Sequence, residues 1–241
     1  MARRAIQEGR VTVGGMPAFK PDALVSPESS IKFVEDDTAY VSRGGRKLEG
    51  ALDAFDLEVE GRRWLDAGAS TGGFTDCLLR WGAASVIALD VGYGQLDWRL
   101  RNDPRVEVLE RTNVRQITRE QLPYEPQAVV ADLSFISLRL VLPDLAGVAA
   151  DDADFVVLVK PQFEAGREHV VRGGVVRDPT GWRAALESVI GAGEGLGLLA
   201  VGGVVSPLRG PAGNVEFFVH LCRRGGAEVD LVERLLNEVP T

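Results

Sequence analysis

No stretch of this sequence is apolar for the roughly 18–20 residues that crossing a bilayer requires, and the opening Met1-Ala2-Arg3-Arg4 leads into polar sequence and not into an apolar leader. A soluble cytoplasmic protein with no membrane partner is therefore expected. Cysteine is scarce. Cys77 and Cys222 are the two in the chain, and they offer neither a zinc-binding spacing nor a disulfide framework, so both read as buried thiols in a reducing compartment and no metal is expected. Net positive charge is lacking as well: 27 Lys and Arg stand against 35 Asp and Glu, a formal charge of −8, which excludes a uniformly basic nucleic-acid coat protein. Any contact with RNA has to come from local patches. Internal repeats and low-complexity tracts are absent too. What remains, 241 residues of which 45% are hydrophobic, suffices for one large domain with a real core, alone or with a small companion.

The stretch Arg63-Trp-Leu-Asp66-Ala-Gly68-Ala-Ser70-Thr71-Gly72-Gly73-Phe74-Thr-Asp76 runs from a short apolar strand, through a loop of small residues, into the amphipathic run Phe74 to Trp81. A βα turn that receives a cofactor reads this way. Small residues let a ligand lie against backbone, and the unpaired N–H groups that start the helix favour an anionic group. The spacing Asp66-x-Gly68-x-Ser70-x-Gly72 is neither the pyrophosphate-binding G-x-G-x-x-G nor a P-loop. Asp66 would repel phosphates but suits an ammonium. S-adenosylmethionine carries an ammonium and a carboxylate on its amino-acid end, and matches both features. The competing reading is a tight turn whose glycines serve chain reversal alone.

Residues 1–37 stand apart from the rest. A short helix is expected over Arg3–Glu8, strands over Arg10–Val13 and Ile31–Val34, and a hairpin turn at Gly14-Gly15. Arg3, Arg4 and Arg10 make this small α+β unit basic at its start. Glu35-Asp-Asp37 reads as a linker, placing a domain over 38–241. Leu48, Ala51, Leu52 and Phe55 fall at helical spacing, with Arg43, Arg46 and Lys47 grouped where that helix begins. Cations at a helix N-terminus sit at the disfavoured end of the dipole, so a further use for them is expected.

Beyond residue 60 strands and helices alternate. Strands are expected at 64–67, 86–91, 106–110, 128–132 and 155–160, with helices near 72–81, 95–102, 136–148 and 180–192. Continuous apolar strands imply a parallel, doubly wound sheet covered on both faces. Leu198–Val205 and Val215–Leu221 have no crossover helix between them and should pair antiparallel, and a helix over 228–239 closes the chain. Five parallel strands with a terminal antiparallel hairpin distinguish a methyltransferase-type sheet from a dehydrogenase. Ligands bind such sheets at the carboxyl ends of the strands. Asp90 ends the second strand, where a ribose diol is usually held, and Thr112-Asn113 end the third, in reach of an adenine edge. Asp132 ends the fourth, Lys160 ends the fifth after four apolar residues, and Glu216 opens the last strand. A lysine at Lys160 is costly unless it is paired or functional.

The segments Ser-Arg-Gly-Gly-Arg-Lys47-Leu, Leu-Asp66-Ala-Gly-Ala-Ser-Thr-Gly-Gly-Phe-Thr, Asp90-Val-Gly-Tyr-Gly-Gln-Leu, Ala-Asp132-Leu-Ser-Phe-Ile-Ser, Lys160-Pro-Gln-Phe-Glu and Gly-Asn-Val-Glu216 resemble, in order, the TlyA (hemolysin A type) ribosomal RNA methyltransferases, within the FtsJ-like class of ribose 2′-O-methyltransferases. The resemblance covers nearly the whole chain. It implies a Rossmann-like S-adenosylmethionine-dependent sheet and a catalytic tetrad on Lys47, Asp132, Lys160 and Glu216, with Lys160 as base. Cofactor contacts are expected from Asp66, Gly68, Ser70, Thr71, Gly72, Gly73, Phe74, Asp90 and Asn113. The N-terminal segment, Gly-Arg10-Val-x-Val-Gly-Gly then Lys-Pro-x-x-x-Val, resembles the second half of an S-four-like RNA-binding domain, whose usual preceding helix this chain begins too late to supply. RNA contacts are expected from Arg3, Arg4, Arg10, Arg43 and Arg46, and from loop residues such as Arg167, Arg172 and Arg209. The implied substrate is a cytidine ribose of ribosomal RNA in a subunit or assembly intermediate, with no obligate protein partner. Two other readings stay open: an RNA-binding protein of methyltransferase fold without activity, and a membrane-active hemolysin, which would need a long apolar or strongly basic amphipathic segment.

Overall fold

The computed structural model describes residue 6, residues 11–18, 20–26, 28–33 and 40–240. Arg3, Arg4, Arg10 and the acidic linker 35–37 lie outside the described residues, as does most of the expected first helix, of which Ile6 is described and helical. The chain forms two compact units, Met1–Ala39 and Tyr40–Thr241.

In the small unit, β1 (Val11–Val13) pairs antiparallel with β2 (Met16–Pro17) and with β3 (Ile31–Phe33), giving the order β2-β1-β3. Gly14 and Gly15, at φ 58° and 85°, make the two-residue turn between the first two strands. Both conformations are costly for any residue with a Cβ, which is why this hairpin reads so clearly in sequence.

The large unit is built on one seven-stranded sheet. Its parallel strands are β4 (Arg63–Ala67), β5 (Ser85–Leu89), β6 (Val106–Leu109), β7 (Ala128–Ala131) and β8 (Asp154–Val159). With β9 (Leu199–Val205) and β10 (Phe217–Cys222) the order is β6-β5-β4-β7-β8-β10-β9. The chain moves outward from β4 to β6, then returns to the other side of β4. The crevice of this reversal lies between the carboxyl ends of β4 and β7. Strand β10 inserts antiparallel between β8 and β9, as the absence of a crossover helix requires.

Alternation along the strands feeds two cores. Trp64, Val130, Val156 and Phe218 face one layer, where Leu48, Leu52, Phe74 and Leu78 cover them from helices Arg43–Phe55 and Gly73–Arg80. Leu65, Val129, Val157 and Phe217 face the other, under helices Leu142–Val148, Pro179–Glu194 and Leu231–Glu238. Asp66 points to the same face as Trp64, so its carboxylate enters an apolar layer. Two expected helices come out shorter. The run 136–148 divides into a 3-10 turn, Leu138–Leu140, and Leu142–Val148, because Pro143 has no N–H for the preceding turn and its ring crowds the carbonyl four residues back. The run 95–102 starts only at Trp98, since Asp97 caps it by accepting from Arg99 N at 3.0 Å.

At the opposite rim of the sheet Asp154 receives Arg62 Nη2 at 2.7 Å and Arg224 Nη2 at 2.9 Å, and lies 2.9 Å from His220 Nε2. Burial raises its pKa, but the His220 and Arg62 hydrogen bonds outweigh that and hold it at about 2. Cys222 lies close by, yet the two guanidinium groups already supply the positive charge this carboxylate needs. Asp154→Asn is expected to lower stability by about 2–3 kcal/mol, read from the denaturation midpoint at pH 7, with the loss shrinking as pH falls below about 4, where the carboxylate of the unfolded chain protonates.

Candidate active site

Each parallel strand ends at the same rim, and the expected site residues gather there. After β4 the backbone turns sharply. Gly68 N and Ala69 N both donate to Leu89 O of β5, at 2.8 and 3.0 Å. Gly68 sits at φ 88°, and a Cβ there would come 2.6 Å from Asp132 O; at Gly72, φ 98°, it would come 2.2 Å from Leu100 Cδ1. Neither position tolerates a side chain. Ser70 adopts φ 49°, and its N–H donates to Asp90 Oδ2 at 2.8 Å, while Gly92 N donates to Asp90 Oδ1 at 2.6 Å. Asp90 thus locks the loops after β4 and β5 together and keeps lone pairs for a further donor. Thr71 O accepts from Asp97 N at 3.1 Å.

Asp66 is fully buried. Its Oδ2 accepts from Thr75 Oγ1 at 2.6 Å, whereas Oδ1 has no hydrogen-bond donor. Burial is the main cause that raises its pKa to about 7; the Thr75 hydrogen bond pulls it down, and the charges of Asp132 and Asp90 add to the rise. A buried carboxylate oxygen beside a glycine cradle is suited to a cationic donor from a ligand.

Three other expected contacts also take part in packing or capping. Gly73 faces the start of the other helix, where a Cβ would overlap Ser42 Oγ, and the Phe74 ring lies in the core with its centroid 5.9 Å from that of Phe218. Both serve packing of the two helix starts. Asn113 Oδ1 accepts from Arg115 N at 3.0 Å and caps the 3-10 turn Val114–Gln116, which leaves its amide N–H groups for a ligand.

The four tetrad residues form two ion pairs at the carboxyl ends of β7 and β8. Lys160 Nζ lies 2.5 Å from Asp132 Oδ1 and donates to Ser134 Oγ at 3.0 Å. Lys47, from the second turn of helix Arg43–Phe55, pairs with Glu216. Lys47, Lys160 and Glu216 are each at most 9% exposed. Phe217 and Val159 are register partners, so Glu216 and Lys160 stand opposite each other one step beyond the ladder. The expected tetrad is thereby divided into pairs: Asp132 takes Lys160 and Glu216 takes Lys47. Two lysines and two carboxylates sum to zero charge, which makes the buried cluster tolerable.

Around this centre Arg43 and Arg46 are exposed, and Arg43 Nη2 donates to Arg209 O at 3.0 Å. Sequence reasoning missed three members of the site. Thr75 was hidden because nothing in sequence shows which hydroxyl reaches Asp66. Ser134 followed Asp132 in plain view but as an ordinary loop residue. Phe135 has φ 64°, is 91% exposed, and lies with its ring centroid 5.4 Å from that of Phe163; an aromatic in sequence normally signals core.

Residues 40–223 match the FtsJ-like methyltransferase family. The chain belongs to this family. It is 52% identical over 246 residues to the 16S/23S rRNA (cytidine-2′-O)-methyltransferase TlyA of Mycobacterium tuberculosis, covering 99% of this chain and 92% of that one. Hemolysin A of Brachyspira hyodysenteriae is 40% identical over 220 residues, covering 91% of each. Among solved structures, a candidate hemolysin of Streptococcus thermophilus superposes with a TM-score of 0.83 at 39% identity, over 98% of this chain and 88% of that one. The protein is a methyltransferase, and its methyl donor is S-adenosylmethionine.

An ammonium-bearing ligand meets Asp66 only in its ionised form, so cofactor affinity is expected to rise with pH up to about 7 and to level off above it. The sign follows from a raised pKa in the free protein: binding releases a proton, and fewer remain to be released as pH increases. Titration calorimetry between pH 5.5 and 8 checks this, with Asp66→Asn expected to bind more weakly and without the slope.

Proposed function

We propose that this protein transfers the methyl group of S-adenosylmethionine to the ribose 2′-hydroxyl of a cytidine in ribosomal RNA. The observation that carries this reading is the buried pairing Lys160–Asp132 beside Lys47–Glu216, next to the glycine cradle of an FtsJ-like sheet. The Mycobacterium tuberculosis relative, named for cytidine-2′-O methylation of 16S and 23S rRNA, supports the substrate class.

Bound at Asp66, the loop Gly68–Gly72 and Asp90, the cofactor supplies a methyl carbon on a cationic sulfur that leaves as a neutral thioether. A ribose hydroxyl is a poor nucleophile, so the protein's part is to align it and take its proton. Lys160, once its ammonium has given a proton to solvent, is the assigned base: the hydroxyl oxygen forms the new C–O bond while its proton passes to Nζ. Asp132 and Ser134 hold Nζ in place and stabilise the ammonium that results. Lys47, fixed by Glu216, is assigned to the substrate ribose or its phosphate.

RNA is assigned to the basic rim and to the N-terminal S-four-like unit. Arg43, Arg46, Arg167, Arg172 and Arg209 are exposed, and the open ring of Phe135 offers a stacking face to an unpaired base. Arg3, Arg4 and Arg10 are assigned the same role. Among the described residues no helix is long and apolar enough to cross a membrane, which leaves the hemolysin reading without a spanning element there. A cytoplasmic enzyme acting on ribosomal subunits is the reading that follows.

The test is transfer of radiolabelled methyl from S-adenosylmethionine to small and large ribosomal subunits that lack the modification. Label stable to alkali at the 2′-O position is expected for the wild type. Lys160→Ala is expected to lose at least roughly 100-fold in rate while keeping its cofactor affinity. Wild-type turnover in that variant would remove Lys160 as the base, and cofactor binding with no labelling of either subunit would favour an inactive RNA-binding protein. Arg46→Ala is expected to reduce the slope of log affinity against log salt by roughly 1, measured by RNA binding at several ionic strengths.

A further inference from the structure

The loop that follows β7 carries Asp132 and Ser134, the two partners of Lys160, and then the exposed ring of Phe135. Its first end is held by the sheet, where Asp132 N donates to Ala67 O at 3.1 Å. Its second end has no strand to hold it. There Glu164, 8% exposed, accepts from Ser137 Oγ at 2.6 Å through one carboxylate oxygen and from Leu138 N at 2.8 Å through the other. Both oxygens thus grip the start of the 3-10 turn Leu138–Leu140. Burial raises the pKa of Glu164, while the hydrogen bonds from Ser137 and Leu138 draw it back. A carboxylate in such a place is costly to keep, and the charge of Arg139 offsets that cost only in part, since the pKa stays raised.

Position in the fold gives that cost a purpose. Glu164 ends the single helical turn Pro161–Glu164, and Lys160 is the residue that begins it. One rigid turn therefore carries the lysine at one end and, at the other, the clamp on the loop that holds the lysine's partners. Between the two anchors Phe135 sits at φ 64°, a conformation that costs a non-glycine residue on the order of 1 kcal/mol or more. The surrounding structure must hold it there, and its ring rests on Phe163, the residue before Glu164. Two independent contacts thus join the turn after β8 to the loop after β7.

We propose that Glu164 is a positioning residue for methyl transfer: by holding Ser137 and Leu138 it fixes the loop Asp132–Ser137 against Lys160, so that Asp132 and Ser134 stay on Nζ. The proposal rests on the assignment of Lys160 as base. Loss of the clamp acts on the far end of the loop and not on the main supports of the cofactor cradle, because the loops after β4 and β5 are locked by Asp90 and Asp132 N stays bonded to Ala67 O. It frees the second end of the loop, and a displacement of about 1 Å at a reacting group lowers the rate on the order of 100-fold.

The experiment compares Glu164→Ala, Glu164→Gln, Ser137→Ala and Lys160→Ala by methyl-transfer kinetics across pH, with cofactor affinity measured on each. Glu164→Ala is expected to lower kcat on the order of 100-fold with cofactor affinity unchanged, and to displace the limb of the pH–rate profile that reports Lys160. Glutamine keeps an oxygen for Leu138 N and an amide N–H for Ser137 Oγ, so Glu164→Gln is expected to restore most of the activity. A residue that serves stability alone would lower the unfolding midpoint and leave that limb in place. Should Glu164→Ala fail to fold, Ser137→Ala decides, since it removes one of the two grips and is expected to move the limb in the same direction. Wild-type kcat and an unmoved limb in the folded Glu164 and Ser137 variants, with Lys160→Ala inactive, would overturn the positioning role alone. An active Lys160→Ala would overturn both the base and the role that depends on it.

Discussion

Neutralising a lysine at the end of a buried strand is the constraint on which this structure depends. All six residues of β8 are buried, and the chain delivers Lys160 straight from them into the site. An unpaired ammonium there would cost several kcal/mol, so a carboxylate must arrive from a neighbour. Strand β7, parallel and adjacent, brings Asp132 at its own carboxyl end. On the other side a parallel neighbour would again bring a carboxyl end, but β10 runs antiparallel and so brings its entry, with Glu216, opposite Lys160. Glu216 in turn needs a cation, and Lys47 descends from the covering helix to supply it. The antiparallel insertion that marks this sheet is thus also the device that closes its charge balance.

Buried carboxylates on both sides of the crevice keep an oxygen without a hydrogen-bond donor among the described residues: Oδ1 of Asp66, whose other oxygen accepts from Thr75, and Oε1 of Glu216, whose other oxygen accepts from Lys47. On the proposed function, donors from the cofactor and the substrate complete them. Burial, the first of the causes, raises the pKa of Asp66 to about 7, so the protonated form is favoured there relative to an exposed carboxylate. Gly68 and Gly72 make the cradle possible because each is fixed at positive φ against a neighbour that leaves no room for a side chain.

Most of this frame was legible in sequence, and the reasons differ by residue. The parallel, doubly wound sheet and its terminal antiparallel hairpin followed from apolar runs and from the missing crossover before Val215. The strand-end residues Asp90, Asp132 and Lys160 stood out because a polar group ending an apolar run has to be explained. Less legible was anything set by packing across elements. Gly73 and Phe74 sit within the cofactor motif by position, yet one makes room for Ser42 and the other fills the core against Phe218. The division of the tetrad into Lys160–Asp132 and Lys47–Glu216 depends on the register of β10, which composition does not encode. Helix bounds failed where a local cap or proline intervened, as at Asp97 and Pro143.

Electrostatics link the neutral centre to an acidic chain. With a formal charge of −8 the molecule repels a polyanion on average, and the tetrad, summing to zero, adds no attraction of its own. Attraction must therefore come from the rim. The helix Arg43–Phe55 begins with two arginines and a lysine and has no acidic residue in its first turn, an arrangement that the helix dipole disfavours by roughly 0.3–1 kcal/mol per charge. Lys47 recovers that cost through Glu216, but Arg43 and Arg46 remain at the surface. Arg43 and Arg46 precede Lys47 at the disfavoured end of the helix and have no ion pair among the described residues, and on the proposed function their counter-charge is the phosphate backbone of the substrate. On that reading the same helix both completes the buried charge balance and aims the substrate at it.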